Sequence, residues 1–276
     1  MSDLTEMANE LRAFKKPNLL VTCGDSFSCG SGLAHADCFE KSYAGLMAEY
    51  KNVPQLVLGR AGCCNFTIWL QIKHAVDRVT ANHNPFILIT MTNAARTVWF
   101  KPGQQKPMGT APNIRHLNYK DYPPYDIHTP ELWRRDVPVD TDHSMQSETL
   151  SNLDTFFDKD VKASWPQFEN HEPNARLRIL RDWVGDFFSF DIKNEYDLGV
   201  LLMGHLLMKT NNIPHLFMGH QPDFARLVPS KNYENIDWGW FSQRYPDPKG
   251  TGHCDYTGHK LVFEKLKEKV DAQWDL

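Results

Sequence analysis

PNLLVTCGDSFSCGS, residues 17–31, is the stretch on which the reading of the fold turns. An apolar run, Leu19, Leu20 and Val21, ends abruptly in Cys23, Gly24, Asp25 and Ser26. That pattern describes a buried strand running into a tight turn. The serine stands where the backbone leaves a sheet, and open α/β sheets place their chemistry there, beyond the carboxyl ends of the strands. A serine in such a turn also serves as a helix cap, so Gly-Asp-Ser acquires meaning only from the rest of the chain.

Downstream, residues 38–50 carry apolar or aromatic groups at 39, 43, 46, 47 and 50, which is helix periodicity. Pro54 opens a second strand, QLVLG. Asn65 is expected to N-cap a helix through residue 80, with Ile68, Trp69, Ile72, Val76 and Val79 on its apolar face. Asn84-Pro85 leads into a third strand, FILITM. Strand, helix, strand, helix, strand is the signature of a parallel sheet covered on both faces.

The alternation stops at residue 92. The next ~80 residues are irregular, with prolines at 102, 107, 112, 123, 124, 130, 138 and 166 among Trp99, Tyr119, Tyr122, Tyr125, Trp133 and Trp165. A segment this long inside a compact domain reads as a packed excursion, a lid or a contact surface. Helices are expected at about 174–189 and 194–209, a fourth strand at HLFMG after Pro214, and a last helix from near Thr257 to about 271. A short amphipathic helix is expected over residues 3–14. The expected organisation is one domain over residues 1–276, with an insertion at about 100–212 between the third and fourth core strands.

Composition narrows the function classes. Hydrophobic residues make up 41%, charged residues 23%, and the net charge is -4 without a long basic block, so no nucleic-acid groove is indicated. The first residues lack a secretory pattern, and LGVLLMGHLLM is too short to span a bilayer, so no transmembrane segment is expected. Six cysteines in 276 residues do not make a disulfide scaffold, and a reducing, cytoplasmic setting is expected. A particle component made inside a cell is also compatible. There is no phosphate-loop or dinucleotide fingerprint, so no cofactor is expected. His116, His128 and His143, with Asp121, Asp126, Asp140 and Asp142 nearby, match no compact metal spacing, so no metal is expected either.

Gly24-Asp25-Ser26 follows the first strand, Gly62 the second and Asn93 the third, while His253 precedes the last helix. In a doubly wound sheet these positions converge on one edge. A serine, a histidine and two neutral donors are the parts for acyl transfer: nucleophile, proton acceptor and oxyanion hole. Here the chain resembles the SGNH hydrolases, the GDSL lipase/esterase family. Gly24-Asp25-Ser26 matches the first block, Gly62 in GRAGCCN the second, Asn93 in MTNA the third, and His253 with Gly258 and His259 the last. The resemblance covers residues 18–98 and 213–272. It implies a three-layer α/β/α, flavodoxin-like parallel sheet and hydrolysis of an ester, thioester or amide. It also implies Ser26 as nucleophile, His253 as base, and an oxyanion hole of the Ser26 and Gly62 N–H groups with the Asn93 amide.

The departures matter as much. The family commonly places an aspartate three residues before the histidine, where this chain has Gly250; Asp247 lies six before and Asp255 two after. Asp247 is the expected orienting partner, Asp255 suits capping the last helix, and a peptide carbonyl is a third acceptor. Met91 and Ala94 replace the usual glycine and aspartate of the third block. Asp25 is expected to brace its turn, His259 to start a helix, and Cys63 and Cys64 to fill space or, if exposed, to react. Trp238 and Trp240 are candidates for a substrate wall, with loop packing the plainer reading. The expected function is an esterase or deacylase working through a Ser-His centre and an acyl-enzyme, on a small molecule or an acylated carbohydrate or lipid. The alternative is a catalytically weak or inactive member of the same fold, serving as a binding or structural component. In that case the aromatic insertion would offer its surface to a protein partner.

Overall fold

The structure, a computed structural model, describes residues 16–33, 38–59, 64–92, 190–250 and 252–274. Gly62, Cys63, Asn93, the expected helices at 3–14 and 174–189, and the insertion up to residue 189 lie outside the described residues.

Five parallel strands form one sheet: β1 (Leu19–Cys23), β2 (Gln55–Val57), β3 (Pro85–Thr90), β4 (His215–Gly219) and β5 (Tyr233–Asn235), in the order β2-β1-β3-β4-β5. β1 is an interior strand, pairing with β2 through Thr22↔Val57 and with β3 from Leu19↔Pro85 to Cys23↔Ile89. Strand order reverses between β1 and β3, the point at which doubly wound sheets open a crevice. β1 and β3 are buried along their whole length, which explains why apolar residues dominate both.

Helices cover both faces. On one lie α1 (Tyr43–Lys51), α5 (Trp238–Arg244) and α6 (Tyr256–Trp274), which pack Tyr43, Met47, Trp238, Val262 and Leu266 against Leu20, Phe86 and Leu88. On the other lie α2 (Asn65–His74), α3 (Phe190–Thr210) and the short α4 (Pro222–Leu227), which pack Ile68, Ile72, Leu201 and Phe224 against Val21, Ile87 and Phe217. Alternate residues of each strand thus feed separate cores, as period-two alternation requires. The layering is three-layer α/β/α.

Local chemistry sets the boundaries. Ser42 caps α1 by accepting the Gly45 N–H, and Asn52 ends it in the left-handed region at φ 53. α2 continues through a π-helical turn, Ala75–Val79. α3 precedes β4 and packs against α2 closely enough that a Cβ on Gly204 would stand 3.0 Å from Ile72 Cδ1.

One expectation needs correction. Asn65 is not the N-cap of α2: Cys64 occupies that position without a side-chain cap bond, and Asn65 is the first helical residue. Its amide turns inward instead, onto the end of β3. β5, α4 and α5 are additions that the apolar periodicity did not announce. They are too short to show a repeat. No helix among the described residues is long and apolar enough to cross a membrane.

Candidate active site

The turn after β1 is braced at every residue. Gly24 has φ +145, and a Cβ there would fall 2.8 Å from the Thr90 carbonyl oxygen and from Ser28 Oγ. Only glycine fits so close to β3. The Asp25 carboxylate accepts the Phe27 N–H at 3.1 Å, an Asx-turn, so this aspartate braces the turn as expected. Ser28 Oγ donates to the Asp25 carbonyl at 2.6 Å, and the Ser31 N–H donates to the Ser26 carbonyl at 2.9 Å.

Ser26 sits inside this braced loop with 3% of its surface exposed, and its Oγ has no hydrogen-bond partner among the described residues. Native proteins rarely leave a buried hydroxyl unpaired. Such a group is held in place by its backbone while its own bonding capacity remains open.

The loop between α5 and α6 comes directly against this turn. Pro246 and Cys254 form an antiparallel bridge, and the Asp247 N–H donates to the His253 carbonyl at 3.0 Å. A Cβ on Gly32 would stand 2.8 Å from His253 Cβ and 3.3 Å from Asp247 Cβ. The His253 ring lies 5.0 Å from that of Phe27, the residue after Ser26. The turn after β1 and the loop before α6 therefore meet at the carboxyl edge of β1. The Ser26 hydroxyl and the His253 ring are not hydrogen-bonded to each other.

Asp247 is buried, and its carboxylate accepts the Lys249 N–H at 2.8 Å and the main-chain N–H of His253 at 3.4 Å. It organises the loop that carries the histidine. Asp255 accepts the Gly258 N–H at 3.0 Å and so caps α6, the role expected of it. His259 accepts the Tyr43 N–H at 3.3 Å at the start of α1. Burial pushes its imidazole down to about 4, with the Ser31 carbonyl acting the other way, so it is neutral and structural.

Trp238 is buried and stacks on Phe27 at 4.5 Å, forming the floor beneath the turn; Trp240 is 51% exposed, its ring against Phe241 and Tyr245. Cys29 donates its thiol to the Ser26 carbonyl at 3.3 Å, and burial pushes that thiol up to about 11. Cys64 is buried and its thiol is raised by desolvation, which makes it a space-filler rather than a nucleophile. None of the five described cysteines forms a disulfide.

Likeness to known proteins is slight. No family model matches the chain, and no curated protein matches it. A solved structure of a proposed lipolytic protein of the G-D-S-L family from Desulfitobacterium hafniense DCB-2 is similar to it at 14% identity, over 91% of this chain and 99% of that one, with a TM-score of 0.31. A likeness of that size carries no argument, and the functional reading rests on the residues themselves.

Gln71 went unrecognised in the sequence, and Asn65 was read there only as a helix cap. Gln71 accepts the Gly24 N–H and donates to the Gly24 carbonyl, and Asn65 does the same for Thr92. The available signal was a glutamine between Ile68 and Ile72 on the buried face of an amphipathic helix, a polar group where the period calls for an apolar one.

Proposed function

We propose that this chain is an SGNH-type serine hydrolase that cleaves esters. The observation that carries the reading is the Ser26 hydroxyl: buried, unpartnered among the described residues, past the carboxyl end of β1, in a turn packed against the His253 loop. Ser26 Oγ attacks the substrate carbonyl while His253 takes its proton. The tetrahedral oxyanion is held by the Ser26 and Gly62 N–H groups and the Asn93 side-chain amide. Collapse expels the alcohol, which receives the proton from His253, and leaves an acyl-serine. Water, deprotonated by the same histidine, releases the acid. Asp247 keeps the His253 loop in register, and Phe27 on Trp238 gives the acyl group an apolar floor. The substrates that suit such a centre are small esters and acylated carbohydrates or lipids.

The test is labelling by a fluorophosphonate probe. The wild type is expected to react and Ser26→Ala to be silent; labelling that survives the substitution sinks the assignment. A second reading, a binding protein on the same fold, is favoured by one observation, the absence of a hydrogen bond between Ser26 and His253. An unlabelled wild type that hydrolyses no p-nitrophenyl acetate decides for it.

A further inference from the structure

Two side-chain amides of α2 grip the main chain at the exits of β1 and β3. Gln71 Oε1 accepts the Gly24 N–H at 2.6 Å, and its Nε2 donates to the Gly24 carbonyl at 3.2 Å. Asn65 Oδ1 accepts the Thr92 N–H at 3.0 Å, and its Nδ2 donates to the Thr92 carbonyl at 2.8 Å. Both side chains are buried, at 1% and 0% exposure. The β1–β3 register ends at Cys23↔Ile89, and past that pair the amides supply the bonds that a neighbouring strand would have made.

The Asn65 grip is itself anchored. Its Nδ2 also donates to Asp197 Oδ2 at 3.0 Å, and Asp197 pairs with Lys193 one helical turn away on α3. Gln221 adds a further donor to the Thr92 carbonyl at 3.2 Å. Gly24 has the opposite problem. Its φ of +145 is open to glycine alone, and glycine does not hold one conformation by its own sterics. A bidentate partner fixes both of its polar groups in one orientation. Ser26 follows two residues later.

We propose that Gln71 and Asn65 are positioning residues: through Gly24 and Thr92 they fix where the Ser26 turn stands relative to the end of β3. The proposal rests on the reading of Ser26 as nucleophile. A nucleophile displaced by about 1 Å loses on the order of a hundredfold in rate, so a device that freezes a glycine hinge has kinetic consequences.

Gln71→Met keeps the length of the side chain and loses both bonds; Asn65→Ala shortens the side chain and loses both bonds at the other exit. With p-nitrophenyl acetate, each is expected to lower kcat about tenfold or more with KM held within about twofold, because the acyl group still binds while the attack geometry loosens. Amide hydrogen exchange reads the clamp without turnover. Gly24 N–H should exchange at least about tenfold faster in Gln71→Met with Thr92 N–H unchanged, and Asn65→Ala should do the reverse. General loosening of the fold would move both amides together. If one variant fails to fold, the other carries both readouts. Unchanged exchange at the targeted amide, or unchanged kcat in a variant whose amide has been released, overturns the proposal. A wild type inactive on every ester counts against the hydrolase reading instead, and exchange alone then decides the clamp.

Discussion

Gly32 and His253 touch. A methyl group on Gly32 would stand 2.8 Å from His253 Cβ and 2.6 Å from the Cys254 carbonyl oxygen, and Gly32 itself holds φ +94. The contact joins the turn after the first strand to the loop before the last helix.

Gly32→Ala is therefore expected to fail on two counts, backbone conformation and space. Alanine at positive φ costs about 1 kcal/mol or more, and the backbone contact adds to it. The readout is a lowered Tm together with slower fluorophosphonate labelling, because the histidine loop must move away. A variant with wild-type Tm and labelling would show that the two loops are not mechanically joined.

Ser26→Ala should behave in the opposite way. The hydroxyl is buried without a partner, so its removal takes away an unsatisfied polar group and not a hydrogen bond. Chemical denaturation is expected to give a stability equal to the wild type or higher by up to about 1 kcal/mol, while labelling disappears. A loss of more than that would mean the hydroxyl is bonded in solution.

The fold was legible because its signals are long-range averages. β1, β3 and β4 are short, rich in apolar residues and accompanied by amphipathic helices, a pattern that a covered parallel sheet satisfies. The turn at Gly24 was legible for a local reason, since an apolar run that stops at Gly-Asp-Ser marks a strand ending in a tight turn. What escaped is what depends on a partner distant in sequence. Asn65 reads as an ideal cap from its neighbours alone, and its use at Thr92 is visible only once α2 is laid on β3. Trp238 reads from its loop sequence as either a substrate wall or loop packing, and it is buried with Phe27, distant in sequence, stacked on it. β5 has three residues and owes its existence to β4, not to its own propensity.

Stability should fall on mild acidification. Burial pushes His215 and His259 down to about 4, well below the value of an exposed histidine. The unfolded chain then binds more protons than the folded one between about pH 6.5 and 4, so the contribution is complete above that window and is lost progressively as pH falls through it. Each histidine contributes on the order of 3 kcal/mol at full effect. Urea titrations at intervals from pH 7 to pH 4 should show the unfolding free energy declining with a slope approaching two protons. A flat profile across that range would mean that neither ring is buried neutral.

The histidine loop allows the roles of its three polar residues to be separated. His253 is the proposed base, and His253→Ala should lower kcat by about 10²–10⁴ while leaving the fold intact, since its ring is only partly buried. The wild-type kcat/KM should fall on the acid side as the imidazole is protonated. Asp247 holds the main-chain N–H groups of Lys249 and His253. Asp247→Asn replaces one accepting oxygen with a donor that faces another donor, so the loop loses at least one bond and the protein about 1–3 kcal/mol. Its kcat should fall less than that of His253→Ala, because the proposed base is still present when the loop is loose. Asp255 caps α6 through the Gly258 N–H. Asp255→Ala should cost about 0.5–2 kcal/mol of stability with kcat unchanged. Michaelis–Menten parameters and melting curves for the three variants give the ranking directly. Should Asp255→Ala take the larger share of kcat, Asp247 is not the residue that orients the base; should His253→Ala keep full activity, His253 is not the base at all.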